Sequence, residues 1–287
     1  MDQPNRWLPP TPYPVTEPPG PAGMPRERRP LLRRLLGPLL VAGLLALKWG
    51  AKFKGLLLVL PKLKVLTTSG SMLVSIAAYS LIWGWQFALG FVALLFIHEF
   101  GHYIQLRREG VKPTFMVFIP FLGAAVGARS LGGSAVAEAR VGLAGPILGS
   151  LACAVLLPVA VVTDDDFWRA LAFTGFFLNL FNLIPMVPFD GGRAMAAMAP
   201  WMWFVGFAAM IGFFFLFPNP ILILFLLLGG TESWRRWKVR KRGDEGNAAY
   251  YRVTPRQRLV VGAVYVGLIA LLAIGMDASF VDRSDRL

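Results

Sequence analysis

The sequence is short of the residues on which soluble domains depend. Its 287 positions hold one cysteine, two histidines and 16 acidic residues. A single cysteine excludes a disulfide framework and a cysteine-rich zinc site. Cys153 lies in the apolar run 151–162 and reads as packing rather than as a reactive thiol. Charged residues make up 16% of the chain, where soluble domains carry about 25%. Apolar residues make up 56%. This balance excludes a disordered chain, a coiled coil and an ordinary soluble enzyme. It fits an all-α polytopic membrane protein.

What charge there is has mostly one sign. Lys and Arg number 29, for a net charge of +13. The position of that excess matters more than its size. Arg26, Arg28, Arg29, Arg33 and Arg34 precede the first apolar run, Arg235 to Arg242 follow another, and Arg252, Arg256 and Arg258 precede the last. Basic residues flanking apolar runs mark cytoplasmic loops, and they make the lipid bilayer an expected partner. No nucleic-acid-binding module accompanies them, so nucleic acid is not an expected partner.

Eight apolar runs are separated by turn signals and charges. They cover about 35–60 (A), 68–83 (B), 86–106 (C), 137–163 (D), 167–187 (E), 201–217 (F), 221–234 (G) and 258–276 (H). Runs B to F and H read as spans and G as a seventh, giving about six to seven transmembrane helices. Run A is interrupted by Lys48, Lys52 and Lys54 and reads as interfacial or re-entrant. The expected organisation is a disordered Pro-rich basic tail (1–34), with ten prolines in its first 30 residues. An apolar interfacial segment (35–66), a core (67–235), a basic cytoplasmic loop (236–257) and a C-terminal span with its tail (258–287) follow. With the basic loops inside, C ends inside at Arg107 and Arg108, D starts inside, and Asp164 to Asp166 form an outer loop between D and E.

Both histidines fall in one stretch of run C, His98-Glu99-Phe100-Gly101-His102, an H-E-x-x-H pattern. Side chains four apart share a helix face, so both imidazoles reach one metal ion. Glu99, rotated by about 100°, reaches the adjoining water instead. That is the zincin arrangement of two ligands and a general base. Ionisable groups inside a bilayer are costly and mark function.

A catalytic zinc usually has three protein ligands. With no third histidine, the missing one is a carboxylate. Glu138 reads as a surface pair with Arg140, Asp164 to Asp166 lie on the outer side, and Glu232 is near the end of G. Asp190 remains, after Pro185 and Pro188 end run E and before Gly191-Gly192, where a tight turn is expected. Depth agrees. His98 and His102 lie about 13 and 8 Å inside the basic rim at Arg107, and Asp190 follows the cytoplasmic end of E.

Together, His98-Glu99-Phe100-Gly101-His102 and, 190 − 102 = 88 residues on, Asp190 in Asn-x-x-Pro-x-x-Pro-Phe-Asp-Gly-Gly resemble the site-2 protease family of intramembrane zinc metalloproteases. The resemblance covers about residues 65–235. It implies one zinc per chain held by His98, His102 and Asp190, with Glu99 activating water. It implies hydrolysis of peptide bonds in or near transmembrane segments of other proteins, which become the expected partners. It assigns Asn182 a contact to substrate backbone or oxyanion, beside the alternative of a helix-packing amide. Phe189 stands where the family often has Leu. The interval between the motifs leaves no room for a PDZ domain, and the region after 235 is too short for paired CBS domains.

The β-prone stretch 114–123 after run C is expected to form a short re-entrant β segment, with an interfacial loop as the alternative. Gly142, Gly145 and Gly149 in run D read as a close-packing surface. The expected location is the cell membrane of a bacterium, with the site toward the cytoplasm. The rival functions are an ion- or proton-translocating transporter and a catalytically silent helix-binding relative. The oligomeric state is left open.

Overall fold

The computed structural model describes residues 64–128, 130–241 and 245–281. The Pro-rich tail 1–34 lies outside them. So does the segment 35–66 except for its last three residues, which open the first helix.

Helix α1 (Lys64–Trp83) breaks at Gly84 and is followed by α2 (Trp85–Arg108). Gly84 has φ +82°, a left-handed value that favours glycine. After α2 comes an antiparallel hairpin, β1 (Met116–Ile119) and β2 (Gly123–Val126), pairing Met116 with Val126 and Ile119 with Gly123. The hairpin runs back along α1. Thr68 Oγ1 donates to the Met116 carbonyl (2.9 Å), the Phe118 N–H donates to Ser71 Oγ (3.2 Å), and the Phe121 N–H donates to the Tyr79 hydroxyl (2.9 Å). From Thr68 to Tyr79 is about 16 Å of helix. The short β segment expected after the H-E-x-x-H helix is therefore present, and the hydroxyls of α1 hold it.

Helix α3 (Ala135–Thr163) starts at Ser134, whose hydroxyl caps the Ala137 N–H. Asp164 ends it in the left-handed conformation, and Asp165 caps α4 (Asp166–Asn182) by accepting from Phe167 N–H. The three consecutive acids thus form the turn between two helices. Then follow α5 (Asp190–Met198), α6 (Met202–Leu216), α7 (Pro220–Lys241), α8 (Glu245–Tyr250) and α9 (Pro255–Ser279). The last opens with a reciprocal cap between Thr254 and Gln257.

Among the described residues, three helices are long and apolar enough to cross a membrane: α2, α3 and α9. The expected six to seven are not reached on that measure. Helices α4 and α6 have only 17 and 15 residues. The second half of α7 is basic, and α1 is diluted by the hydroxyls that bind the hairpin. Leu81, Val162 and Phe215 are 89%, 86% and 78% exposed, on a surface suited to lipid and not to water. The chain is an integral membrane protein, and its described residues form mostly helices with one two-stranded sheet.

The core lies between α2, α3, α4, α5 and α9, around Val92, Leu95, Leu143, Phe176, Met195 and Leu272. Helix α9, set apart in the sequence as a C-terminal span, packs against α3, α4 and α5 and closes this core. A smaller cluster of Met186, Phe189, Met210 and Leu222 joins the 183–189 loop to α6 and α7. Cys153 is buried in the core, as its apolar run implied.

Two local expectations are corrected. The polar stretch from Arg235 onward is not all loop, because α7 continues to Lys241 and α8 follows. Glu232 supports the extension by pairing with Arg235 (2.7 Å) and Arg236 (2.8 Å) one turn on. Glu138 is not a surface partner of Arg140. It is 1% exposed and accepts hydrogen bonds from Arg236 and from the Tyr250 hydroxyl, while Arg140 turns to Glu109 (3.4 Å). Burial beside Glu138 pushes the Tyr250 hydroxyl pKa above its ordinary value.

Candidate metal centre

The H-E-x-x-H stretch lies in α2, where the helical period places His98 above His102 on the face turned to α3 and α4. Both are buried, at 2% and 4% exposure. Asp190 arrives from the other side as the first residue of α5. Its Oδ2 is 3.1 Å from Nε2 of His98 and 3.1 Å from Nε2 of His102, and the two Nε2 atoms are 3.2 Å apart. The three side chains named from the sequence thus present three atoms at the corners of one small triangle.

The opposite ring nitrogens fix which electron pairs face inward. His98 Nδ1–H donates to Asn179 Oδ1 (2.8 Å), and the other end of that amide is settled because Nδ2 donates to the Gly175 carbonyl (2.8 Å). His102 Nδ1–H donates to the Val141 carbonyl (2.7 Å) in α3. With Nδ1–H turned outward in both rings, each Nε2 is left to present a lone pair inward. Two lone pairs and a carboxylate oxygen at this spacing repel one another unless a positive charge sits among them. Ligands held at 2.0–2.1 Å in a tetrahedron stand about 3.3–3.4 Å apart. The donor set and its spacing therefore fit a divalent cation, and both histidines have the outer hydrogen bonds that metal-bound imidazoles characteristically make.

Glu99 is 6% exposed, within 4.8 Å of both histidines, and lines the same cavity. Its carboxylate makes no hydrogen bond to another described residue. The cavity is about 460 Å³ and is walled by Tyr79, Phe121, Phe181 and Phe225 beside the polar set. Asn182 is half-buried on that wall, and its Nδ2 donates to the Leu178 carbonyl of its own helix (3.1 Å). Arg193, one turn after Asp190, places Nη1 3.6 Å from the second carboxylate oxygen, Oδ1.

Glycines make the room. A Cβ on Gly145 would lie 2.3 Å from His102 Nε2 and 2.8 Å from His98 Nε2. On Gly149 it would meet the Asn179 amide at 2.3 Å, and on Gly142 the Asp190 carbonyl at 2.8 Å. Of the glycines read from the sequence as a packing surface, Gly145 thus faces the two histidines, Gly149 faces Asn179 and Gly142 faces the start of α5. Gly191 and Gly192 likewise serve contact and not turning. Neither has positive φ, and a Cβ would fall 2.1 Å from the Leu183 carbonyl oxygen or 2.4 Å from the Met186 carbonyl carbon. The 183–187 loop they touch is tied down by Tyr265, whose hydroxyl donates to Leu183 (2.6 Å), and Trp203 Nε1–H donates to Gly192 (2.7 Å).

Asn179 was missed in the sequence, and Gly145 was read there as packing alone. The available signal was a second amide in the apolar run Phe177-Leu178-Asn179-Leu180-Phe181-Asn182, three residues before the one that the family motif singles out.

Residues 86–165 match the profile of Peptidase family M50. The zinc metalloprotease MJ0392 of Methanocaldococcus jannaschii is 35% identical over 128 residues, which are 43% of this chain and 37% of that protein. Rip3 of Mycobacterium tuberculosis is 33% identical over 123 residues, 38% of this chain and 30% of that one. The chain spans about a third of the length of these curated relatives. The profile match contains α2 with both histidines and Glu99, and α3 with its glycines, and it ends before Asp190. Residues 86–165 are thus similar to Peptidase family M50, in keeping with the likeness to the site-2 proteases carried by the His98–His102 motif.

Proposed function

We propose that the chain is an intramembrane zinc metalloprotease that hydrolyses peptide bonds in or near transmembrane segments of other membrane proteins. One observation carries the reading: two imidazole nitrogens and a carboxylate oxygen meet within 3.1–3.2 Å, with the unpartnered Glu99 beside them. His98, His102 and Asp190 are the proposed ligands, supplying two neutral donors and one negative charge. Zinc held there would polarise the scissile carbonyl and acidify water. Glu99 takes the proton from the attacking water and delivers it to the leaving amide nitrogen. The aromatic walls limit water to the polar end of the cavity. Asn182 keeps an amide oxygen directed at no other described residue, which suits a substrate N–H better than an oxyanion.

A helical substrate buries its peptide bonds, so it must unwind before Glu99 and water reach one. The hairpin β2 lines the cavity beside the site and offers backbone groups to an extended segment. The basic ends of α2 and α7 support a site toward the cytoplasmic side under the positive-inside rule.

The test uses purified full chain in proteoliposomes with a panel of single-span reporter proteins. Wild-type protein cleaves within or beside the reporter span and holds one zinc. Glu99→Gln holds the zinc and cleaves at least ~10²-fold more slowly, the lower range for loss of a general base. Equal cleavage by the two proteins would sink the mechanism. Cation flux through the metal-free protein would favour a transporter instead.

A further inference from the structure

A second cavity, of about 760 Å³, opens between α2, α3 and α9 on the far side of the α2–α3 contact from the metal centre. Gly101 lines it, while its neighbour His102 lines the first cavity. The two spaces are separated by the packing of Gly101 against Ala144, where an added Cβ would lie 2.3 Å from the Ala144 carbonyl. Nothing in the proteolytic reading uses this second cavity, and the inference below does not depend on that reading.

Its chemistry is divided along the helix axes. At one end stand three guanidinium groups from three helices: Arg108 closing α2, Arg140 in the first turns of α3 and Arg256 opening α9. All three are exposed, and no carboxylate lines the cavity. Among the described residues, the acid in contact with this set is Glu109, 3.4 Å from Arg140. Three cations with one acid between them leave an opening that attracts an anion. Beyond the arginines the walls are apolar, through Ile104, Leu148 and Val264. Along α9 the track from Arg256 to Val264 is about 12 Å, and along α3 the track from Arg140 to Leu148 is the same. The cationic end lies at the basic rim of the three membrane-crossing helices, and the apolar end runs toward the hydrocarbon.

A cationic mouth at headgroup level above an apolar track has the shape of an amphiphile with a negative head. A free anion would leave the apolar track wetted, and a neutral lipid would leave the arginines unpaired. We infer that this cavity is a binding site for an anionic phospholipid of the inner leaflet, its phosphodiester held by Arg108, Arg140 and Arg256 and its acyl chain lying along α3 and α9. Guanidinium groups bind phosphate through paired N–H donors. Basic pockets between transmembrane helices on the cytoplasmic side suit such headgroups. The ligand would brace the reverse side of the helix that carries the histidines.

The test is retention of lipid by the purified full chain, measured by native mass spectrometry after exchange into mixed micelles of phosphatidylglycerol and phosphatidylcholine. Wild-type protein is expected to keep phosphatidylglycerol at least tenfold in preference. Arg140→Gln with Arg256→Gln should lower that retention at least tenfold, and Val264→Trp should lower it by filling the track. Monodispersity and thermal unfolding should stay as in wild type and so report folding. Because the preference is measured on unaltered protein, a variant that failed to fold would leave that measurement standing. Equal retention of the two lipids by wild type would overturn the inference. So would full retention by the double-arginine variant, or displacement of phosphatidylglycerol by equimolar inorganic phosphate, which would make the site one for a free anion.

Discussion

His98 and Asn179, 81 positions apart, are joined by a buried hydrogen bond of 2.8 Å from Nδ1–H to the amide oxygen. The bond passes from α2 to α4 and sets the tautomer of one imidazole. Asn179 is itself pinned by Gly175 and made possible by the absence of a side chain on Gly149. Its effect on a metal would be exerted through His98, which makes it a positioning residue.

Replacing it separates orientation from packing. Asn179→Leu keeps the branched shape of the side chain but removes the acceptor, so zinc affinity should fall about 10–100-fold, the range for lost outer-shell partners. Asn179→Asp keeps an acceptor at the same place and should retain most of the affinity. Chelator competition on purified protein measures both. Equal affinities for the Leu and Asp variants would show that the bond does not act on the metal.

Asp190 and Glu99 should part company in the same assay. Asp190→Asn removes the one negative charge from the triangle at nearly constant volume, so it should lower both bound zinc and cleavage. Glu99→Gln should lower cleavage alone. Asp165→Asn is the control, since Asn caps a helix as well as Asp does, and it should change neither. Loss of zinc from Glu138→Gln, with Asp190→Asn fully loaded, would move the third ligand.

The residues of the candidate site stood out in the sequence because they break a pattern. Two histidines and a glutamate in an apolar helix stand out by cost alone, and elimination left Asp190 for the third corner. The helices were legible from their runs, usually to within a few residues. Three things were not. Asn179 looked like any amide in a helix, since only the fold brings it to His98. Gly145 looked like packing, because what a glycine makes room for depends on the facing helix. Glu138 was paired with its neighbour in sequence, whereas its partners Arg236 and Tyr250 lie 98 and 112 positions away. On length and apolarity alone the span count falls short of the expected six to seven, since α1 turns hydroxyls to the hairpin and α7 carries charge into the helix.

The Glu138 cluster should be fragile to single changes. Arg236→Met leaves a buried carboxylate uncompensated, which typically costs about 3–5 kcal/mol. The double variant Arg236→Met with Glu138→Gln should recover most of that loss in thermal or denaturant unfolding. The cluster also sets an alkaline limit. The Tyr250 pKa is raised on folding, so its contribution is present below the unfolded tyrosine value of about 10 and is lost as pH rises above it. Tyr250→Phe should flatten the fall in stability above that pH. An unchanged alkaline profile would remove Tyr250 from the account.

Orientation can be read by labelling. A cysteine in place of Glu245, in α8, should react with an impermeant maleimide only when the cytoplasmic face is exposed. A cysteine in place of Asp165 should react only from the opposite face. The reverse pattern would overturn the assignment made from the basic rims.

Gly145 offers the sharpest test of the centre, because the smallest possible side chain should abolish it. A methyl there would stand 2.3 Å from His102 Nε2 and 2.8 Å from His98 Nε2, inside the radius that any nitrogen and carbon in contact can share. Either imidazole must rotate, and rotation breaks the bond to Val141 or Asn179 that holds it. Gly145→Ala should therefore lose zinc and cleavage together. Helix propensity alone would favour the change, since alanine in a helix is worth about 0.5–1 kcal/mol over glycine. Gly267→Ala isolates that propensity: it lies in α9 with nothing within 4 Å of the added carbon, and it should leave zinc unchanged and raise stability slightly. Metal analysis and thermal unfolding of the two variants side by side decide the matter. Full zinc occupancy in Gly145→Ala would mean that the triangle of His98, His102 and Asp190 is not where the metal binds.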